Sequence, residues 1–396
     1  MTTRPLRSYL PVASAILIAG VLVSASLFFA ISGMQKAATI TNTQTTTSTS
    51  TVTVTTTTTS IPGSTNTVQT PSLQTVASIP IANPSGSAIR IAFDASNGYL
   101  YVANGTSSPS ITVVDLAEND SIIANIPLGN ATGGLLYDPS NGYVYVSQGC
   151  LEIVHYGTRS NQTELDAGIT AVVINGTKVV KEITGPCASG ELAYDPSDHR
   201  IFEASVDGGN PNGLVNVIDD RSNTIVASIP VDGGLTGIAY DSSDGMVYVA
   251  DLSSGSVDVI NPATNGAVDV INVESGHPVY ADDLVAYNPV NNLVYVTNGI
   301  TYGYNTELNG TTVVGNFTVP CSGGIGSEFD GFAFDSARGF SFMSACGTVV
   351  ASNGFSNAAL VSVNVPGASS LAYDPSNYEL FVVASTGITV LSTTDV

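Results

Sequence analysis

Leu284 to Tyr287 alternates apolar with small residues, Asn288-Pro289 breaks the run, and Leu293 to Val296 resumes it with β-branched and aromatic side chains. Such alternation on both sides of a turn signal predicts a β-hairpin. The same succession recurs as IAFDASNGYLYVAN, LLYDPSNGYVYVSQ, LAYDPSDHRIFEAS, IAYDSSDGMVYVAD, VAYNPVNNLVYVTN, FAFDSARGFSFMSA and LAYDPSNYELFVVA. The aromatics of these seven copies, Phe93, Tyr137, Tyr194, Tyr240, Tyr287, Phe334 and Tyr373, are spaced 44, 57, 46, 47, 47 and 39 residues apart. A period near 40 to 50 built from short strands is the mark of a β-propeller, whose four-stranded blades cannot cover both faces until neighbours stack on them.

Within one unit the pattern places all four strands: LTGIAY innermost, then MVYVAD, SVDVIN and AVDVINV, joined by the turns DSSDG, LSSG and PATNG. The recurring Asp before Pro-Ser-Asn-Gly suits an Asx turn that satisfies local N–H groups, a role that the amide of Asn288 also fills in one unit. The seventh unit stops at Val396 without a fourth strand, while LQTVASIPIANPSG, residues 73–86, matches the fourth-strand segment NTIVASIPVDGG, residues 223–234. An N-terminal strand completing the last blade would close the ring and remove exposed sheet edges. The expected fold is therefore all-β, a seven-bladed propeller over residues 73–396.

The preceding residues read differently. Residues 1–9 hold Arg4 and Arg7, and Leu10 to Ile31 is a run of 22 residues without a charge, about the length that crosses a bilayer as a helix. Under the positive-inside tendency, 10–32 is a transmembrane signal anchor with the C-terminal part outside the cell. The alternative is a signal peptide cleaved near Ala30-Ile31-Ser32, giving a secreted protein. Residues 33–72 form an uncharged Thr/Ser-rich stretch that lacks the apolar surface for a core and reads as a disordered stalk.

Charge narrows the partners. All 32 acids fall after residue 93 and only 7 of the 10 Lys and Arg lie beyond residue 36, so the propeller carries 7 − 32 = −25. That sign repels phosphate backbones and argues against nucleic acid. Contact with the membrane is expected through the N-terminal helix only.

The four cysteines fall in equivalent places: Cys150 and Cys346 after second strands, Cys187 and Cys321 in blade connections. In a propeller these loops share one rim, which makes Cys150–Cys187 and Cys321–Cys346 the expected disulfides among three possible connectivities. Glycosylation sequons begin at Asn104, Asn119, Asn130, Asn161, Asn175, Asn309 and Asn316 and fit an exported glycoprotein.

LVYVTN at 293–298, VYVAD at 247–251, VDVINPATN at 257–265 and ESGHPVYADDLVAYNP at 274–289 resemble the YVTN family of β-propellers, in particular those of archaeal surface-layer and cell-surface proteins. The likeness covers residues 73–396 and implies a seven-bladed propeller displayed outside the cell in binding, adhesive or envelope-structural roles. It rests on strand and turn positions, so it carries no chemistry with it.

Chemistry is sparse along the chain. His155, His199 and His277 read as loop histidines, and no cofactor is implied. Asp282 and Asp283 are the weak candidates for a metal, through oxygen ligation of Ca²⁺, against simple loop solvation. The insertion CLEIVHYGTRSNQTELDAG, residues 150–168, is the most individual feature, and its His155, Tyr156 and Arg159 are candidate contacts with a partner, an envelope protein or a glycan. Two functions stand: a noncatalytic cell-surface binding, adhesion or structural module, and an extracellular enzyme, a lactonase-like hydrolase or metal-dependent lyase, with its site at the channel mouth.

Overall fold

The computed structural model describes residues 39–42, 56–59, 70–81, 90–104, 108–129, 132–149, 167–186, 190–204, 212–251, 254–273, 284–297, 305–317 and 329–394. The apolar segment 10–32 lies outside them, and among the described residues no helix is long and apolar enough to cross a membrane. In the Thr/Ser-rich segment, Thr39–Asn42 pairs antiparallel with Thr56–Thr59, Thr39 opposite Thr59. β-branched Thr favours such extended backbone.

Seven four-stranded antiparallel sheets form the blades. Blade 1 is Ile91–Asp94, Tyr99–Asn104, Ser110–Asp115 and Ser121–Pro127; blade 2 is Thr132–Asp138, Tyr143–Gln148, Ala167–Asn175 and Lys178–Pro186. Blade 3 is Leu192–Asp195, Arg200–Ala204, Asn212–Asp219 and Thr224–Asp232; blade 4 is Leu235–Asp241, Met246–Asp251, Ser256–Asn261 and Gly266–Asn272. Blade 5 is Val285–Asn288, Leu293–Thr297, Asn305–Asn309 and Thr312–Phe317; blade 6 is Phe329–Asp335, Phe340–Ala345, Thr348–Asn353 and Ala359–Asn364. Blade 7 takes Leu371–Asp374, Glu379–Ala384 and Gly387–Ser392 from the C-terminus, and its outermost strand is Gln74–Pro80. The expected closure is therefore present, with Gln74 opposite Ser392 and Pro80 opposite Gly387. Ser72 N–H extends the clasp by donating to Thr394 O at 2.8 Å. The inner strand of blade 7 packs on that of blade 1, completing the ring.

Alternation puts one residue of each second strand at the centre of a seam. Tyr101, Tyr145, Phe202, Tyr248, Tyr295, Phe342 and Phe381 are fully buried, each worth on the order of 2 kcal/mol in burial. The Tyr hydroxyls stay satisfied: Tyr101 donates to Gly176 O at 3.0 Å, Tyr248 to Asp244 Oδ2 at 2.6 Å, and Tyr295 to Asn357 Oδ1 at 2.5 Å.

Every blade has a register shift between its third and outermost strands, at Val113/Val114, Val173/Ile174, Val217/Ile218, Val259/Ile260, Glu307/Leu308, Ala351/Ser352 and Thr75/Ala77. The extra residue on the outer strand is Ile123, Val180, Val226, Val268, Val314, Leu360 or Val76. All of these except Leu360 are exposed, at 37% to 56%. The exposed aliphatic residues of the circumference are thus largely bulge residues, and a bulge twists an edge strand away from pairing with another chain.

Candidate functional site

The inner strands line a central channel. Arg90 precedes the inner strand of blade 1 and Glu191 that of blade 3, and the ring brings them into an ion pair although they are 101 residues apart. Their side chains are 27% and 21% exposed, so each charge is neutralised largely by the other. Beside the pair lie Ile91, Leu135, Leu192, Ile238, Phe332 and Leu371, with Gly237, Gly331 and Ser370, around about 180 Å³. The accessible wall of this pocket is more polar than apolar, so with one guanidinium and one carboxylate in its lining it suits a polar ligand group that competes for either charge. Among the described residues, no group of three or more His, Cys, Asp or Glu is placed to hold a metal ion.

Two blades share a further device at this end. In blade 2 a Cβ on Gly134 would meet the backbone of Glu191 and Leu192 at 2.8 Å, and in blade 6 one on Gly331 would meet Leu371 N at 2.9 Å. The next blade's entry therefore passes closely over a glycine in both. Ser147 Oγ donates to Gly190 O at 2.6 Å, and Ser344 Oγ to Ser369 O at 2.5 Å, fastening those entries. Blades 2 and 6 are also the blades whose second strands lead to Cys150 and Cys346. Cys346 is disulfide-bonded; Cys150, Cys187 and Cys321 lie outside the described residues.

On the opposite face the seven inner turns behave as expected of Asx turns. Asp94, Asp138, Asp195, Asp241, Asn288 and Asp374 each accept an N–H two residues on at 2.7 to 2.8 Å, and Asp335 accepts that of Arg338 at 3.1 Å. In several blades the inner-strand tyrosine reaches the turn of the blade before it, whereas Tyr287 OH donates to Asn292 Oδ1 of its own turn at 2.8 Å. Tyr373 OH donates to Asp335 Oδ2 at 2.6 Å, Tyr240 OH lies 3.4 Å from Ser197 Oγ, and burial beside Asp94 and Ser96 pushes the Tyr137 phenol up to about 12. Where the aromatic is Phe, the preceding turn manages alone. Before Phe334 the turn residue is the neutral Asn288, and before Phe93 Asn377 Nδ2 donates to Asp374 Oδ2 at 2.9 Å.

The remaining expected sites divide by placement. Asp282, Asp283, His155, Tyr156, Arg159, His277, Asn130 and Asn161 lie outside the described residues. Asn119, Asn175, Asn309 and Asn316 are exposed, whereas Asn104 commits its Nδ2 to Ser110 Oγ and Thr112 Oγ1 at 3.1 and 2.7 Å. His199 lies in the inner turn of blade 3 with Nδ1 3.2 Å from Asp220 Oδ2, a partner that sequence spacing does not reveal. Arg90, Glu191 and a fully buried Glu203 were not singled out from sequence. For Glu203 a signal existed, because RIFEA carries an acid where YLYVA, MVYVA and LVYVT carry Val.

Set against protein-family models and curated proteins, the chain matches none.

Proposed function

We propose that this seven-bladed propeller is a noncatalytic binding or adhesion module of the YVTN type, displayed outside the cell on its Thr/Ser-rich stalk, and that an envelope protein or glycan docks at the channel mouth. The observation that supports the reading is the position of Gln74–Pro80: the strand completing blade 7 follows directly in sequence on the Thr/Ser-rich residues and is the outermost of its blade, so the chain enters the propeller at its circumference. The Arg90–Glu191 pair in the channel pocket would supply recognition chemistry there, and disulfides Cys150–Cys187 and Cys321–Cys346 would hold the surrounding loops.

Intact cells treated with external protease test the display: cleavage within residues 43–72 should release a fragment beginning near residue 73. Capture on those cells by full-length protein tests the mouth, with Arg90→Ala and Glu191→Ala expected to weaken it about tenfold or more, the range of a lost charge-assisted contact. Protection of the propeller from external protease would overturn the display, and unchanged capture by both variants would overturn the mouth as the docking site.

A further inference from the structure

Blade 2 meets blade 3 through an apolar cluster that buries Tyr145, Val173, Ile183, Ile201 and Ile218. At each end of this seam a carboxyl group is buried with one oxygen lacking a donor. Near the blade connection, Glu203 is fully buried; its Oε2 accepts from Thr170 Oγ1 of blade 2 at 2.8 Å and from Asn216 Nδ2 at 3.1 Å, and Oε1 has no partner. The other six second strands carry Val102, Val146, Val249, Val296, Met343 and Val382 in that slot.

At the turn end, Asp138 of blade 2 is fully buried; Oδ1 accepts Ser140 N–H at 2.8 Å, and Oδ2 has no donor. The carboxyl of Asp220 from blade 3 shares Ser140 with it, Asp138 accepting the Ser140 N–H and Asp220 the Ser140 hydroxyl. Asp220 is 3% exposed, and its Oδ2 already has Ser140 Oγ at 3.3 Å, Tyr194 OH at 3.1 Å and His199 Nδ1 at 3.2 Å. His199 occupies a left-handed position, φ 57°, in the turn slot where blades 1, 2, 4 and 6 have Gly98, Gly142, Gly245 and Gly339. A side chain is thus held against backbone preference where it reaches Asp220.

Two facing carboxyls in a dry seam cannot both ionise cheaply, and a buried oxygen with no donor is the atom that carries a proton. We propose that the blade 2–3 seam is a proton-operated joint: Glu203 and Asp138 each keep one proton while it is closed, and alkaline pH loosens blade 2 from blade 3 by removing them. In support, burial pushes Glu203 up to about 8 against the hydrogen bonds of Asn216 and Thr170. Burial, followed by the charge of Asp220, also raises Asp138. The ionisable groups facing the pair are His199 and Tyr194 of blade 3 and Tyr145 of blade 2; those on Glu203 are the neutral Thr170 and Asn216. A carboxyl raised by folding stabilises the fold fully below its ordinary range, and that stability is lost as pH rises through the folded value.

Hydrogen exchange on the full-length protein, corrected for the intrinsic pH dependence of the amides, tests the joint. Between pH 7 and 9, exchange in Ala167–Asn175 and Arg200–Ala204 should rise about tenfold, the factor for one pKa unit, while Leu293–Thr297, whose blade turn carries the neutral Asn288, stays level. The double variant Glu203→Gln, Asp138→Asn should lose the rise. An equal rise all round the ring, or an undiminished rise in the variant, would sink the proposal. Infrared spectra of the unaltered protein give an independent reading: a protonated-carboxyl band must be present at pH 7 and fade by pH 9, and its absence at pH 7 overturns the assignment.

Discussion

Asn288 shows how much one atom decides in these turns. Its Oδ1 accepts the Val290 N–H like every Asp in the series, but its Nδ2 also donates to Tyr295 OH at 2.6 Å and Gly354 O at 2.8 Å. Asn288→Asp keeps the acceptor, removes both donors and places a charge at a fully buried position. A loss of about 3 kcal/mol is expected, read as a lower denaturation midpoint at unchanged slope. Tyr373→Phe should cost only about 1 kcal/mol, because Arg338 still holds Asp335. The Asx role was legible in sequence, since a short acid before Pro-Ser-Asn-Gly has few other uses. The cross-blade reach of Tyr373 was not, because it depends on which turn the next inner strand comes to rest against. Glu203 was legible and passed over: an acid in a Val slot either breaks a strand or is buried with a proton.

Strands and their order follow from alternation and turn residues, so the four strands of blade 4 fall where LTGIAY, MVYVAD, SVDVIN and AVDVINV place them. The bulges do not follow. Val226 and Val268 read as ordinary strand residues, and only the pairing register shows that each is an extra residue turned outward. The closing strand depends on Gly387, at φ 134°, where a Cβ would strike Ile79 O and come within 2.9 Å of Ile81 N. Gly387→Ala should therefore cost more than about 2 kcal/mol and favour aggregation through the opened third strand of blade 7, seen as a lower melting temperature and higher-mass species on sizing. Ser385→Ala, two residues away on an exposed side chain, is the expected near-neutral control.

Ring closure sets Glu203 and Asp138 against Asp335 over pH. The protons of Glu203 and Asp138 favour the fold at acid pH and their contribution fades toward pH 8 and above. Asp335 acts in the other direction: although burial raises it, Tyr373 and Arg338 hold its carboxyl below the ordinary range, so its contribution is lost at strongly acid pH. Melting temperature should thus peak in mildly acid solution, and the alkaline limb should flatten in Glu203→Gln; a maximum above pH 8 would contradict both. Seven copies of one pattern made the ring legible. Arg90 with Glu191, and Asp138 with Asp220, were hidden because only the curvature of the whole ring brings such distant positions together. The clasp of blade 7 has a mechanical corollary. Gln74–Pro80 runs antiparallel beside Gly387–Ser392, so tension applied through the residues before Gln74 would pull lengthwise on that strand and load its hydrogen bonds together in shear. A pull from a surface loop would instead peel bonds one at a time, so the circumference is the strongest place to fasten this disc against flow or drag.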